Sequence, residues 1–98
     1  MSLPLILTSE AEADLAEAKA WYASRQKGLD IRFVQSIEQG LDTIRQFPRI
    51  GKEMNRDVRR LVLRHFPYAI FYRVSEQHIA VLAVYHSRRD PRGWRIRF

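Results

Sequence analysis

Tyr68-Ala69-Ile70-Phe71-Tyr72-Arg73-Val74, then Ser75 to His78, then Ile79-Ala80-Val81-Leu82-Ala83-Val84-Tyr85 is the stretch that decides the fold. Both runs are rich in β-branched and aromatic side chains, the types that fit a pleated, half-buried surface. The polar break between them is short enough for an antiparallel hairpin. Arg59 to Leu63 has the same extended character, and His65, Phe66 and Pro67 supply a second short connection. The sequence therefore predicts an antiparallel three-stranded meander. Side chains alternate along a strand, so Tyr68, Ile70 and Tyr72 share one face and Ala69, Phe71 and Arg73 the other. Neither face is plainly polar, and the run from Ile79 to Tyr85 is apolar on both.

Upstream the periodicity is helical. Leu5, Ile6 and Leu7 form a short apolar run closed by Thr8, which suits a first strand. Ser9 followed by Glu12 reads as a capping box, each side chain satisfying a backbone N–H at a helix start. Ala11, Leu15, Ala18 and Tyr22 then step by four and three along one face, while Glu10, Asp14 and Glu17 lie on another, near the positive end of the dipole. Gly28, past Arg25 and Lys27, ends this helix. A second helix from Asp30 carries Phe33, Ile37, Leu41 and Ile44 inward until Pro48 stops it. The two form an antiparallel hairpin. Ala11, Ala18 and Gly40 are small enough for close approach of the helices, which offsets the ~1 kcal/mol cost of a mid-helix glycine. The expected fold is α+β: an N-terminal strand, the helix hairpin, then the meander, β-α-α-β-β-β, with the helices on one sheet face. The uncovered apolar face is expected to be exposed and to mark a partner site.

The 98 residues fit one domain, 1–98, with a modest core. No run approaches the roughly 20 uncharged apolar residues of a membrane helix, and Leu3 to Leu7 lacks the basic flank of a signal peptide. A soluble, cytoplasmic protein is expected. Cysteine is absent, which excludes disulfides, thiolate nucleophiles and Cys-based zinc or iron–sulfur sites. The net charge of +6 is uneven. Residues 1–30 are net acidic, through Glu10, Glu12, Asp14, Glu17 and Asp30 against Lys19, Arg25 and Lys27. The remainder holds the excess, with Lys52 as its one lysine and arginine for the rest. Arginine binds phosphate or carboxylate through a planar fork and stays charged. A polyanionic or acidic partner is implied, against the blander reading of a solvated basic surface.

Phe47, Pro48 and Gly51 make a Phe-Pro-x-x-Gly loop after the second helix, and Arg59 and Arg60 lead the next strand. Phe71-Tyr72-Arg73-Val74 and the close His86-Ser87-Arg88-Arg89-Asp90 complete a series that, in this order and spacing, resembles the RelE/ParE toxin family of type II toxin–antitoxin systems across almost the whole chain. The resemblance implies a small toxin, once associated with plasmid stabilisation and growth arrest, that is neutralised by an antitoxin. ParE-like members inhibit DNA gyrase; RelE-like members cut mRNA inside the ribosome. RelE-like cleavage relies on lysines and arginines on the sheet. Here Ala69 stands where such an arginine aligns, and Arg59 and Arg60 offer poor proton acceptors. This places the chain nearer the ParE-like branch.

If the chain were a nuclease, His86 would be the base, with Arg88 and Arg60 on the phosphate. A histidine beside arginines would have a lowered pKa; the alternative is a ring that pins the strand end. His65 and His78 fall in predicted turns without metal-ligand spacing, and no cofactor or metal is expected. Arg59, Arg60, Arg73, Arg88 and Arg89, with Tyr72 and Trp94, form the expected target- and partner-binding set. Arg64 falls in the same basic region. Arg73 paired with Glu76 and Arg89 with Asp90 is the plainer alternative. Trp94, Ile96 and Phe98 alternate with Arg95 and Arg97 as in a further strand. The expected partners are DNA gyrase and an acidic, partly disordered, ParD-like antitoxin in a hetero-oligomer.

Overall fold

A computed structural model describes residues 3–87. Their elements are β1 (Leu5–Leu7), α1 (Ser9–Arg25), α2 (Leu29–Gln46), β2 (Lys52–Glu53), β3 (Val58–Val62), β4 (Tyr68–Val74) and β5 (Ile79–His86). The strands form one sheet in the order β1-β5-β4-β3-β2. Strands β3, β4 and β5 are the expected meander, and the expected α+β architecture is present.

β1 pairs with β5 in parallel, Leu5 opposite Ile79 and Leu7 opposite Val81. A parallel pair needs a long crossover, and the helix hairpin with the strands after it supplies one. The short β2 pairs antiparallel with β3, Lys52 opposite Arg60 and Glu53 opposite Arg59. It lies inside the segment the sequence presents as a loop, because two charged residues show no alternation to read.

The capping box expected at Ser9 is not formed. Thr8 is the N-cap of α1: its Oγ1 accepts the Ala11 N–H at 3.2 Å and donates to the Val81 carbonyl at 2.9 Å. The helix begins one residue earlier because the same hydroxyl ties it to β5, a long-range bond that local spacing does not reveal. Ser9 instead donates to the neighbouring Glu10 carboxylate. At the other end α1 stops at Arg25, and the Gln26 N–H reaches back to the Tyr22 carbonyl. Gly28, expected to end α1, is the N-cap of α2, at φ 85°, where a side chain would be strained.

Gly40 also differs from expectation. A Cβ there would lie 2.9 Å from Ile70 Cδ1 and 3.3 Å from Leu63 Cδ2, so the missing side chain lets α2 settle onto the sheet, not onto α1. The main core fills that interface with Ala11, Ala18, Phe33, Ile37 and Ile44 from the helices and Ile70, Tyr72, Ile79 and Val81 from the sheet. Tyr22, Phe33, Phe66 and Tyr68 close one end as an aromatic cluster with centroids 5.0–6.0 Å apart.

The far face of the sheet is not the open apolar surface that was expected. Val58, Ala69, Phe71 and Ala83 are buried there, with Met54, Leu82 and Tyr85 packed against them. Register explains part of this: Phe71 stands directly between Ala83 and Arg60, so small and long neighbours close around its ring. Exposed apolar side chains remain on that face only at its margins, at Ile6 and Val62; Trp21, Ile31, Phe47 and Ile50 are exposed elsewhere. Among the described residues no helix is long and apolar enough to cross a membrane.

Candidate functional site

The loop between α2 and β2 is built by backbone bonds first. The Phe47 N–H closes α2 on the Thr43 carbonyl, and the Ile50 N–H turns back to the Phe47 carbonyl at 2.9 Å. Pro48 fixes the exit direction. The loop is then fastened from β4. Tyr72 is fully buried; its hydroxyl donates to the Pro48 carbonyl at 2.7 Å and accepts the Gly51 N–H at 2.9 Å. A Cβ on Gly51 would sit 2.6 Å from that oxygen, so only glycine fits under it. Arg59 adds bonds to the Gly51 and Arg49 carbonyls at 2.9 and 3.1 Å. Burial pushes the Tyr72 pKa above the ordinary 10.0, against the opposing effects of the Gly51 N–H and the Arg59 charge. Tyr72 therefore stays protonated, as its bond to Pro48 requires.

Two expected binding residues thus have internal work. Tyr72 is not on a partner-facing surface, because β4 turns it under the loop and its hydroxyl is taken up there. Arg59 is half-buried with its guanidinium on loop carbonyls. The signal was present in the pairing of Phe-Pro-x-x-Gly with the tyrosine of Phe-Tyr-Arg-Val, but the spacing along the chain does not show that they meet.

Arg60 and Arg73 lie on the other sheet face. Arg60 stands opposite Phe71 and Lys52, and Arg73 opposite Val58. Arg73 donates to the Arg56 carbonyl at 3.2 Å, so the alternative ion pair with Glu76 is not formed. Arg60 Nε is buried with no hydrogen-bond partner among the described residues. Lys52, Arg60 and Arg73 form a basic strip over the Phe71 cluster. Arg64 is apart from it, exposed in the turn between β3 and β4.

His86 ends β5 on the helix side, its ring edge-on to Tyr68 at 5.2 Å. His86 pairs with Tyr68 and Arg60 with Phe71, positions of β4 that face opposite ways, so these two of the three candidate nuclease residues occupy opposite faces of the sheet. Arg88, Arg89 and Trp94, with the strand pattern of residues 90–98, lie outside the described residues.

A groove of about 760 Å³ runs beside His86, between α1 and the end of β5, lined among others by Asp14, Glu17, Trp21, Tyr22, Val84 and Tyr85. Among the described residues β1 pairs only with Ile79 to Val81, and no strand covers the rest of that β5 edge. Asp14, read from the sequence as part of a charged helix face, caps this edge: its Oδ2 accepts the Val84 N–H at 3.0 Å. Trp21 is half exposed at the rim, edge-on to Tyr22 with the Arg25 guanidinium 4.6 Å from its ring. Among the described residues no three histidines or carboxylates gather as metal ligands.

Residues 5–91 match the family described as ParE toxin of type II toxin-antitoxin system, parDE. Toxin ParE2 of Mycobacterium tuberculosis, in strains CDC 1551 / Oshkosh and H37Rv, is 28% identical over 92 residues, spanning 93% of this chain and 88% of the relative. A solved structure titled as the chromosomal ParDE TA system from P. aeruginosa superimposes with a TM-score of 0.74 at 25% identity, covering 86% of this chain and 95% of the other.

Proposed function

The chain belongs to the ParE toxin family of type II toxin–antitoxin systems, and from that premise we propose that it acts in the cytoplasm by inhibiting DNA gyrase until a cognate antitoxin neutralises it. The observation that carries the choice of target is the separation of His86 from Arg60. RNA cleavage needs a base and a phosphate clamp converging on one ribose-phosphate, within hydrogen-bond reach; residues on opposite faces of a sheet do not converge. The other reading, a ribosome-dependent endonuclease, loses Arg60 as its phosphate clamp and rests on His86 with Arg88 alone.

The antitoxin reading draws on shape and charge together. The groove beside Trp21 borders a strand edge that no strand among the described residues covers, a geometry that accepts an amphipathic helix or an added strand. The basic strip of Lys52, Arg60 and Arg73 suits an acidic segment that continues around the sheet. A partly disordered partner reaches both surfaces by wrapping, at the expense of ordering entropy. The solved ParDE relative is described as a toxin–antitoxin system, which agrees with a hetero-oligomer.

Induced expression is expected to cause filamentation and DNA-damage signalling, relieved by co-expression of the protein encoded beside it. Toeprinting on translating ribosomes separates the two targets. A gyrase inhibitor leaves mRNA intact, whereas new 5′ ends within A-site codons would establish the nuclease.

A further inference from the structure

The loop from Phe47 to Gly51 combines two properties that seldom occur together. Its backbone is fastened by Tyr72 and Arg59, yet Phe47 and Ile50 point outward, 59% and 51% exposed. Exposed apolar pairs on a rigid loop fit the pattern of interface anchors: an aromatic and an aliphatic side chain whose ordering cost has already been met. Arg49 lies between them and is exposed. Glu53, Asp57 and Glu76 line the pocket beside the loop and Arg59 is bonded to loop carbonyls, so Arg49 is the cation set between the two apolar side chains. The loop sits at the Val74 end of β4 and the Trp21 groove at the Tyr68 end. Six residue steps of ~3.3 Å set those ends roughly 20 Å apart.

We propose that this loop is the contact through which the chain engages its target, a protein surface offering an apolar cleft with a carboxylate set against Arg49, and that it is separate from the groove beside Trp21. A protein suits it better than a nucleic acid, since Ile50 has no face for stacking on a base. The identification of that protein as gyrase rests on the function proposed above; the loop as the target contact does not.

The test compares the full-length wild type with Phe47→Ser/Ile50→Ser and with Arg49→Glu. Thermal melting, calorimetric binding to the adjacent-gene antitoxin, inhibition of purified gyrase and growth arrest are measured for each. The double variant should keep its melting temperature and antitoxin affinity, and should need at least about tenfold more protein to inhibit gyrase, as expected when two anchors are removed. Arg49→Glu should weaken inhibition less and reduce its salt dependence. Inhibition within about twofold of wild type, or parallel loss of antitoxin binding, overturns the proposal. If wild type leaves gyrase unaffected but arrests growth, loss of arrest in the double variant with intact antitoxin binding supports the loop and removes gyrase; retained arrest overturns the loop. A wild type with neither effect overturns both. Loop-dependent binding to duplex DNA alone overturns a protein partner.

Discussion

A single hydroxyl group holds the Phe47–Gly51 loop. Tyr72→Phe keeps the ring in the core but leaves the Pro48 carbonyl and Gly51 N–H without their buried partner, for a destabilisation of about 1–3 kcal/mol. At roughly 4–8 °C per kcal/mol for a domain of this size, thermal melting resolves the change easily. The same bond makes a pH prediction. The folded pKa of Tyr72 is raised above 10.0 by burial, so its contribution to stability is complete below the unfolded value and declines as pH rises through the folded one. Wild type should lose more stability than Tyr72→Phe as pH rises above about 10, followed by tyrosinate absorbance and melting. Equal losses would place the alkaline sensitivity elsewhere, with Tyr22, also raised by burial, the first alternative. Gly51→Ala should weaken the same pin, because its Cβ contests the space of the Tyr72 oxygen. Both motifs were legible as motifs in the sequence. Their meeting was not, since 21 residues separate Gly51 from Tyr72 and only the β3–β4 register brings them together.

Elements were legible where periodicity was long. β4 has the bounds that alternation gives, and the buried side of α2 is the predicted Phe33, Ile37, Leu41 and Ile44. What failed depended on distant partners: Thr8 caps α1 in place of Ser9 because Val81 offers it a carbonyl, and Gly40 is small because Ile70 lies beneath it. Asp14 belongs to the same class. On a helical wheel it is one of several carboxylates, but in the fold it satisfies the β5 edge at Val84. Asp14→Ala should therefore destabilise by roughly 1–3 kcal/mol, since a charge-assisted bond to a part-buried N–H is lost. Hydrogen exchange at the Val84 amide should accelerate more than exchange in α1. Unchanged Val84 exchange would show that the carboxylate is not the group protecting this edge.

Across the whole molecule, Arg60 and Arg73, two of the arginines that the sequence grouped with Arg59, fall on the opposite face. Arg59 braces a loop; Arg60 and Arg73, joined by Lys52, form the basic strip. Charge reversal of Lys52 and Arg73, leaving the part-buried Arg60 in place, should weaken antitoxin binding and flatten its salt dependence, because charge attraction at a surface is screened over about 10 Å at 0.1 M salt. Calorimetric titration with the adjacent-gene protein at low and high salt reads both effects, and binding indifferent to reversal would remove the strip from the interface. Antitoxin engagement is secondary, however, to what the free chain does. The most direct measurement is DNA supercoiling by purified gyrase with increasing amounts of this protein, with and without its antitoxin. The account predicts dose-dependent loss of supercoiling that the antitoxin restores; supercoiling unaffected at every dose, from a protein that still arrests growth, would contradict it.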